Sequence, residues 1–92
     1  MKITFDPNKR EKTLEERGLD FLDASLVFDG EIFEFEDIRE DYQEKRIIAV
    51  GHLVRRMVIV GYVKRGNTKH IFSMRKANAR EIKKYQEQFE EG

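Results

Sequence analysis

The chain has 92 residues, 39% hydrophobic and 39% charged, a composition that predicts one folded domain over residues 1–92 with a modest core. Its 18 basic and 18 acidic side chains cancel, so the net charge lacks the positive excess that is typical of nucleic-acid-binding domains. The absence of cysteine excludes a disulfide framework and a thiolate metal site.

The N-terminal part is predicted to form a short strand and a polar helix. The strand covers residues 2–5, and Asp6 followed by Pro7 marks the N-cap and first position of a helix that ends at Arg17, before Gly18. Because this helix is largely polar, it should face water or a ligand. No signal-peptide pattern is present and no apolar run approaches about 18 residues, so we expect a cytoplasmic protein without membrane contact.

A second helix is predicted after Asp20, which can serve as its N-cap. Helical spacing gives it an apolar face, flanked by Leu22 and Leu26, that consists of Phe21, Ala24, Ser25 and Phe28. Asp29 and Gly30 supply turn chemistry at its end. This helix should therefore contribute to the core.

The rest of the chain is dominated by predicted strands. Phe33 and Phe35 alternate with glutamates in a first strand, and a polar loop follows over residues 37–45. The apolar runs 46–53 and 56–63 indicate a hairpin that turns at Val54 and Arg55, and a further strand covers 69–74. A final helix begins after Asn78. The order β-α-α-β-β-β-β-α predicts an α+β domain in which helices flank a mostly antiparallel sheet.

Strand periodicity groups polar residues with apolar ones on single faces. The three predicted groups are Arg46, Ile48, Val50 and His52; Arg56, Val58, Val60 and Tyr62; and Ile71, Ser73 and Arg75. If the faces coincide, three arginines would form a phosphate-binding surface, because guanidinium groups match phosphate oxygens. Taken singly, each arginine is also explained as a solvated strand end, Tyr62 as a core aromatic residue, and His52 and His70 as surface residues.

Several kinds of chemistry lack the residues they need. The two histidines are far apart in the sequence, and the pair Glu81 and Lys83 lies on the exposed face of the predicted last helix, so a metal site is not expected. Neither a glycine-rich phosphate loop nor an activated-serine motif is present. Metal-free phosphodiester cleavage remains, since the 2′-hydroxyl of RNA supplies the nucleophile and the protein needs only positive charge and a proton-transfer group.

Short motifs along residues 3–85 resemble the BrnT family. The N-terminal motifs are Phe5-Asp6-Pro7-Asn8-Lys9, Gly18-Leu19-Asp20-Phe21, Ala24 and Val27-Phe28-Asp29. The central ones are the acidic-aromatic segment from Asp37 through Tyr42 to Arg46, then Gly51, Arg56 and Tyr62. The closing ones are Arg65-Gly66-Asn67, Ile71-Phe72-Ser73-Met74-Arg75-Lys76-Ala77 and Arg80-Glu81.

This resemblance implies a RelE-like fold and a ribonuclease toxin of a type II toxin–antitoxin system, which blocks translation by cutting RNA. It implies a BrnA-type antitoxin as the partner, contact with operator DNA only through that antitoxin, and no cofactor. The catalytic residues that it indicates are Arg46, Arg56, Arg75 and Tyr62. The residues predicted to bind RNA are Lys9, Lys12, Arg17, His52 and Lys76.

The chain departs from the family pattern at two places. It has Glu16-Arg17-Gly18 where Lys-His-Gly is common, and His70 where an arginine is common. The first departure removes an obvious proton-transfer group, so either Arg17, His52 or a lysine replaces it or the activity is weak. Two alternatives therefore stay open, a catalytically silent partner of an antitoxin and a non-enzymatic RNA-binding module.

The charges are unevenly distributed despite their zero sum. Residues 20–44 are predominantly acidic and include one arginine, Arg39, whereas residues 46–84 are predominantly basic and include one acid, Glu81. A locally basic surface is therefore compatible with the neutral total.

Overall fold

The computed structural model describes residues 2–90, which form an α+β domain with three α-helices and one mixed sheet. The strands are β1 (Lys2–Phe5), β2 (Phe33–Glu36), β3 (Arg46–Leu53), β4 (Arg56–Arg65) and β5 (Thr68–Lys76). The helices are α1 (Pro7–Arg17), α2 (Ala24–Asp29) and α3 (Ala79–Glu90). The strand order is β1-β5-β4-β3-β2; β1 pairs with β5 in parallel and the other three pairings are antiparallel. None of the helices in residues 2–90 is long and apolar enough to cross a membrane.

Helix α1 has the capping residues that its sequence predicts. The Asp6 carboxylate accepts a hydrogen bond from the Asn8 backbone N–H at 2.9 Å, Pro7 occupies the first turn, and Gly18 ends the helix with a φ of 69°. None of its residues is buried. Because β1 covers β5 only as far as Ile71, α1 lies beside the open part of β5, where the Arg17 guanidinium donates to the Met74 carbonyl at 3.0 Å.

The second predicted helix is shorter, and its buried face differs from the prediction. A 3₁₀ turn at Phe21–Asp23 precedes α2, and the fully buried side chains are Phe21, Ala24 and Val27. Val27 lies about one helical turn after Ala24 and is buried in place of the predicted Ser25, while Phe28 is partly buried against the same core. Leu22 and Leu26 are exposed, by 50% and 58%.

The sheet buries apolar residues on both faces. On the α2 face, against which α2 packs, the core includes Ala49, Val58, Val60, Ile71 and Met74. On the α3 face, Val50, Met57 and Ile59 pack with Tyr85 of α3. These contacts lie toward the hairpin between β3 and β4. Helix α3 therefore covers only that half of the sheet face and leaves the other half uncovered. This uncovered half contains the row Arg46, Val63 and His70.

The predicted grouping of Ile71, Ser73 and Arg75 on one face is wrong because β5 contains a bulge. Gly61 of β4 pairs with Ser73 and Tyr62 pairs with Ile71, so Phe72 is an extra residue without a partner. Ile71 therefore lies in the α2-face core, whereas Ser73 and Arg75 lie on the α3 face. A strict period of two cannot anticipate this change.

Gly61 makes room for the bulged Phe72. A Cβ atom on Gly61 would lie 2.6 Å from Cζ of Phe72 and 2.7 Å from Oγ of Ser73. We expect Gly61→Ala to lower the free energy of unfolding by about 1–3 kcal/mol, because the ring must move out of its place on the sheet. Urea unfolding measures the change.

Gly30→Ala is the control for the Gly61 variant. Its Cβ would meet only the Val27 carbonyl oxygen, at the ordinary contact distance of 3.7 Å. We expect this variant to change stability by less than about 1 kcal/mol. Equal stabilities of the Gly61 and Gly30 variants would contradict the proposed contact between Gly61 and the Phe72 ring.

Candidate active site

Arg46, the first residue of β3, is held by two aromatic rings. Its guanidinium carbon lies 4.1 Å from the ring centre of Tyr42 and 4.7 Å from that of Phe72. Such cation–π contacts orient the guanidinium and leave its N–H groups free for an anion. None of the ion pairs formed within residues 2–90 includes Arg46. Arg46 is therefore a positioned cation with unused hydrogen-bond donors.

The loop between β2 and β3, which carries Tyr42, is organised around the buried carboxylate of Asp37. This carboxylate accepts hydrogen bonds from Arg39 Nε and Nη2, at 2.9 and 2.8 Å, and from the Tyr42 hydroxyl at 3.3 Å. The Arg39 guanidinium holds the pKa of Asp37 well below its usual range. The backbone N–H of Asp37 also donates to the Arg46 carbonyl at 2.9 Å. Asp37 thus fixes both Tyr42 and the start of β3.

Arg75, near the end of β5, forms a two-point ion pair with Glu81 of α3. Both N···O distances are 2.7 Å. Glu81 also closes a capping box, since its carboxylate accepts from the Asn78 N–H and the Glu81 N–H donates to the Asn78 side chain. Glu81 was expected on an exposed helical face, but its side chain is only 20% exposed. Arg75 is therefore fixed in place, and part of its charge is neutralised.

Arg46 and Arg75 line one groove of about 580 Å³ on the α3 face. Phe35, Ser73 and Tyr85 also line it, so apolar surface lies between the cations. An adjoining depression, beyond Phe72 and Ser73, is lined by the residues Lys9, Lys12 and Arg17 of α1. Acidic side chains also line this surface, but those of Glu36, Asp37 and Glu81 are paired with basic ones. The remaining positive side chains, from a helix and a strand, suit the backbone of a nucleic acid.

The sequence of the chain also matches a known protein family. Residues 5–81 match the family described as the ribonuclease toxin BrnT of type II toxin–antitoxin systems. The chain belongs to the BrnT toxin family. No curated protein matches it at a significant level. The span of the BrnT match includes every residue of the groove described above except Tyr85.

Two of the residues that the BrnT resemblance indicates as catalytic lie away from the groove. Arg56 begins β4 beside the hairpin, and its pairing with Leu53 places it on the α2 face. Tyr62 is buried on the same face against Phe28, and its hydroxyl donates to Glu34. Burial and this glutamate raise the pKa of Tyr62. The structure therefore brings Arg46 and Arg75 together without Arg56 or Tyr62.

The five residues predicted to bind RNA divide in the same way. Lys9, Lys12 and Arg17 border the surface next to Ser73. His52 lies on the α3 face but roughly 20 Å along the strand from Arg46, with its ring 4.7 Å from that of Phe89. Lys76 is exposed at the end of β5 and pairs with Val58, which places it on the α2 face.

Sequence reasoning did not identify the three residues that position Arg46, namely Asp37, Tyr42 and Phe72. The acidic-aromatic segment contained Asp37 and Tyr42, but its role in holding Arg46 depends on loop geometry. Phe72 reaches Arg46 only because of the bulge. Within residues 2–90, no three histidine, aspartate or glutamate side chains converge closely enough to hold a metal ion.

The ion pair at Arg75 predicts a pH-dependent stability. Arg75 and the cap at Asn78 lower the pKa of Glu81 to about 2, so its stabilising effect is complete above its ordinary pKa and is lost as the pH falls toward 2. We expect Glu81→Gln to lower the free energy of unfolding by about 1–2 kcal/mol at pH 7. Its stability should also depend less on pH between pH 5 and 2, as measured by urea unfolding.

Glu87→Gln is the matched control, because Glu87 is exposed on the same helix. This control should retain the pH dependence of the unchanged protein. Parallel stability curves for the unchanged protein and Glu81→Gln would contradict the assigned role of Glu81.

Proposed function

We propose that this chain is a metal-independent endoribonuclease that cuts RNA in the groove between Arg46 and Arg75 and thereby inhibits translation. The main support for the proposal is the state of Arg46. Its guanidinium is held by two aromatic rings and has no carboxylate partner in residues 2–90. Membership of a family of ribonuclease toxins supports the same chemistry.

In the proposed reaction, the 2′-oxygen of a nucleotide attacks the adjacent phosphorus while the bond from phosphorus to the 5′-oxygen breaks. The products are a 2′,3′-cyclic phosphate and a 5′-hydroxyl end. Negative charge accumulates on the phosphoryl oxygens in the transition state, where Arg46 and the remaining N–H groups of Arg75 stabilise it. Lys9, Lys12 and Arg17 would contact the neighbouring phosphates.

Two features support the absence of a metal from this reaction. The three carboxylates that line the groove, those of Glu36, Asp37 and Glu81, are each paired with a basic side chain, whereas a metal-dependent nuclease needs carboxylates that converge on a metal ion. Glu81, which lies beside Arg75, has both carboxylate oxygens engaged by that arginine. The guanidinium groups would therefore supply the charge that a metal ion supplies elsewhere.

The fold and the partner form part of the same proposal. We infer a RelE-like domain over residues 1–92, in keeping with the mixed sheet that carries α2 on one face and α3 on the other. As a type II toxin, the chain has a protein antitoxin, and we propose a BrnA-type one. Operator DNA would be contacted through that antitoxin, in keeping with the neutral net charge, and the complex would act in the cytoplasm.

The test is cleavage of a defined RNA by the purified protein in the presence of EDTA. We expect cleavage to continue and to leave 2′,3′-cyclic phosphate and 5′-hydroxyl ends. In cells, expression without the antitoxin should arrest growth. Cleavage that requires a divalent cation, or that leaves 5′-phosphates, would contradict the proposed reaction.

One observation favours a second candidate function, that of a catalytically silent partner. Glu81 engages Arg75 at two points and so reduces the charge available to RNA. In this case the protein would form a tight complex with its antitoxin, and its expression alone would leave cellular RNA intact and growth unaffected. A protein that binds RNA without cutting it, and that has no antitoxin partner, would indicate an RNA-binding module instead.

A further inference from the structure

His70 lies in the same row of the sheet as Arg46. Both residues pair with Val63 of β4, Arg46 from β3 and His70 from β5. They also line one cavity of about 350 Å³, which is separate from the groove that contains Arg75. Phe72 borders both spaces, so the Arg46 guanidinium on its ring is accessible from either side.

The imidazole of His70 is oriented by Thr4 of β1. Its Nδ1 lies 2.9 Å from the Thr4 hydroxyl oxygen. When Nδ1 carries the proton and donates it to that oxygen, Nε2 has a lone pair available for a ligand. The same hydrogen bond persists if Nε2 becomes protonated, because Nδ1 remains a donor. In this tautomer, the hydrogen bond to Thr4 fixes the ring while Nε2 can accept a proton.

The surroundings of His70 favour its neutral form. Burial is the main cause that lowers its pKa, and the positive charges of Arg65 and Lys9 act in the same direction. Glu44 and Asp6 oppose this effect. Glu44 is itself engaged by Arg65, at 2.9 and 3.1 Å, so its negative charge is largely compensated. Arg46 adds a further cation to the same cavity.

Resting on the function proposed above, we infer that His70 is the catalytic general base, which removes the proton from the attacking 2′-hydroxyl of an RNA whose phosphate is bound by Arg46. The proton moves from the 2′-oxygen to Nε2 as the bond from that oxygen to phosphorus forms. The bond from phosphorus to the 5′-oxygen then breaks, and the 5′-oxygen takes a proton from water. The imidazolium returns its proton to solvent at the end of the cycle.

Two of the residues that the sequence suggested for this role, Arg17 and His52, are less well placed. The guanidinium of Arg17 is bound to the Met74 carbonyl, and an arginine stays protonated at neutral pH. His52 lies at the other end of the sheet beside Phe89. Among the described residues, His70 is the histidine that shares a cavity with Arg46.

The test compares single-turnover RNA cleavage between pH 4.5 and 8.5 for the unchanged protein and His70→Gln. We expect the unchanged protein to show a rate that rises with pH and reaches a plateau below neutrality, since the lowered pKa keeps the base deprotonated there. His70→Gln should lose about 10²- to 10³-fold in rate, together with this rise, while its affinity for RNA changes less than about threefold.

Two further variants separate catalysis from structure. His70→Ala should regain activity when imidazole is added, a rescue that a purely structural role would not produce. His52→Gln is matched to His70→Gln in chemistry and should keep the rise with pH. Circular dichroism and thermal unfolding of each variant verify folding.

The outcomes distinguish this inference from the function on which it rests. An unchanged protein that cuts RNA, with a His70→Gln variant of equal rate and pH profile, would overturn the role of His70 alone. An unchanged protein that leaves RNA intact at every pH would overturn both. Loss of the pH-dependent rise in His70→Gln, together with imidazole rescue of His70→Ala, would establish the general base.

Discussion

Replacing Arg46 with alanine is expected to slow RNA cleavage by about 10²- to 10³-fold. Arg46 lines both the groove and the His70 cavity. Its guanidinium has no carboxylate partner in residues 2–90. Removal of this charge leaves the developing phosphoryl charge without its main donor. The measurement is the single-turnover rate on a defined RNA at neutral pH, and Arg46→Lys should recover only part of it, because a lysine cannot form two parallel hydrogen bonds.

Arg56→Ala is the matched control for Arg46→Ala. It removes the same charge from the α2 face near the hairpin, away from the groove. We expect this variant to retain most of the cleavage rate. An equal loss in both variants would contradict cleavage in the groove lined by Arg46 and Arg75, because Arg56 would then have the role that the sequence analysis expected.

Replacing Arg75 with alanine is the second change with a large expected effect. We expect a loss of about 10²-fold or more in cleavage rate, and relief of the growth arrest that expression of the toxin alone should cause. Arg75 is fixed by two hydrogen bonds to Glu81, so it offers its other N–H groups in a defined direction. The measurements are cleavage in vitro and colony formation in cells without antitoxin.

Glu81→Gln tests whether the loss at Arg75 comes from charge or from the docking of α3. It removes the same ion pair but keeps the arginine. If Arg75 acts on RNA, this variant should lose less than about tenfold in rate despite its lower stability. A Glu81→Gln variant as inactive as Arg75→Ala, though folded, would indicate that Arg75 mainly anchors the last helix.

Much of the fold follows from local sequence signals. Asp6, Pro7 and Gly18 define α1, and the paired apolar runs define a hairpin at Val54 and Arg55, both of which adopt positive φ. These signals act between near neighbours in the chain, so they can be read without knowledge of the tertiary structure. The order of strands and helices in residues 2–90 agrees with the order predicted from them.

The site was less predictable because it depends on pairing between distant residues. Sequence alone indicated Arg46 and Arg75, but their common face is set by the register of β3, β4 and β5. The same register separates Arg56 from them. The importance of His70 depends on Thr4, which lies 66 positions earlier in the chain. Side-chain periodicity assigns residues to a face of a strand, but it does not show which residues of distant strands lie side by side.

The unpaired position of Phe72 has a consequence for how the length of this strand can change. A deletion inside a regular strand turns the following side chains to the opposite face. Here the ladder already joins Ile71 and Ser73 to consecutive residues of β4, so loss of Phe72 would leave Met74 in the core and Arg75 in the groove. Only the ring beneath Arg46 would disappear. Deletion of Phe72 from β5 can therefore alter the site while the core residues keep their register.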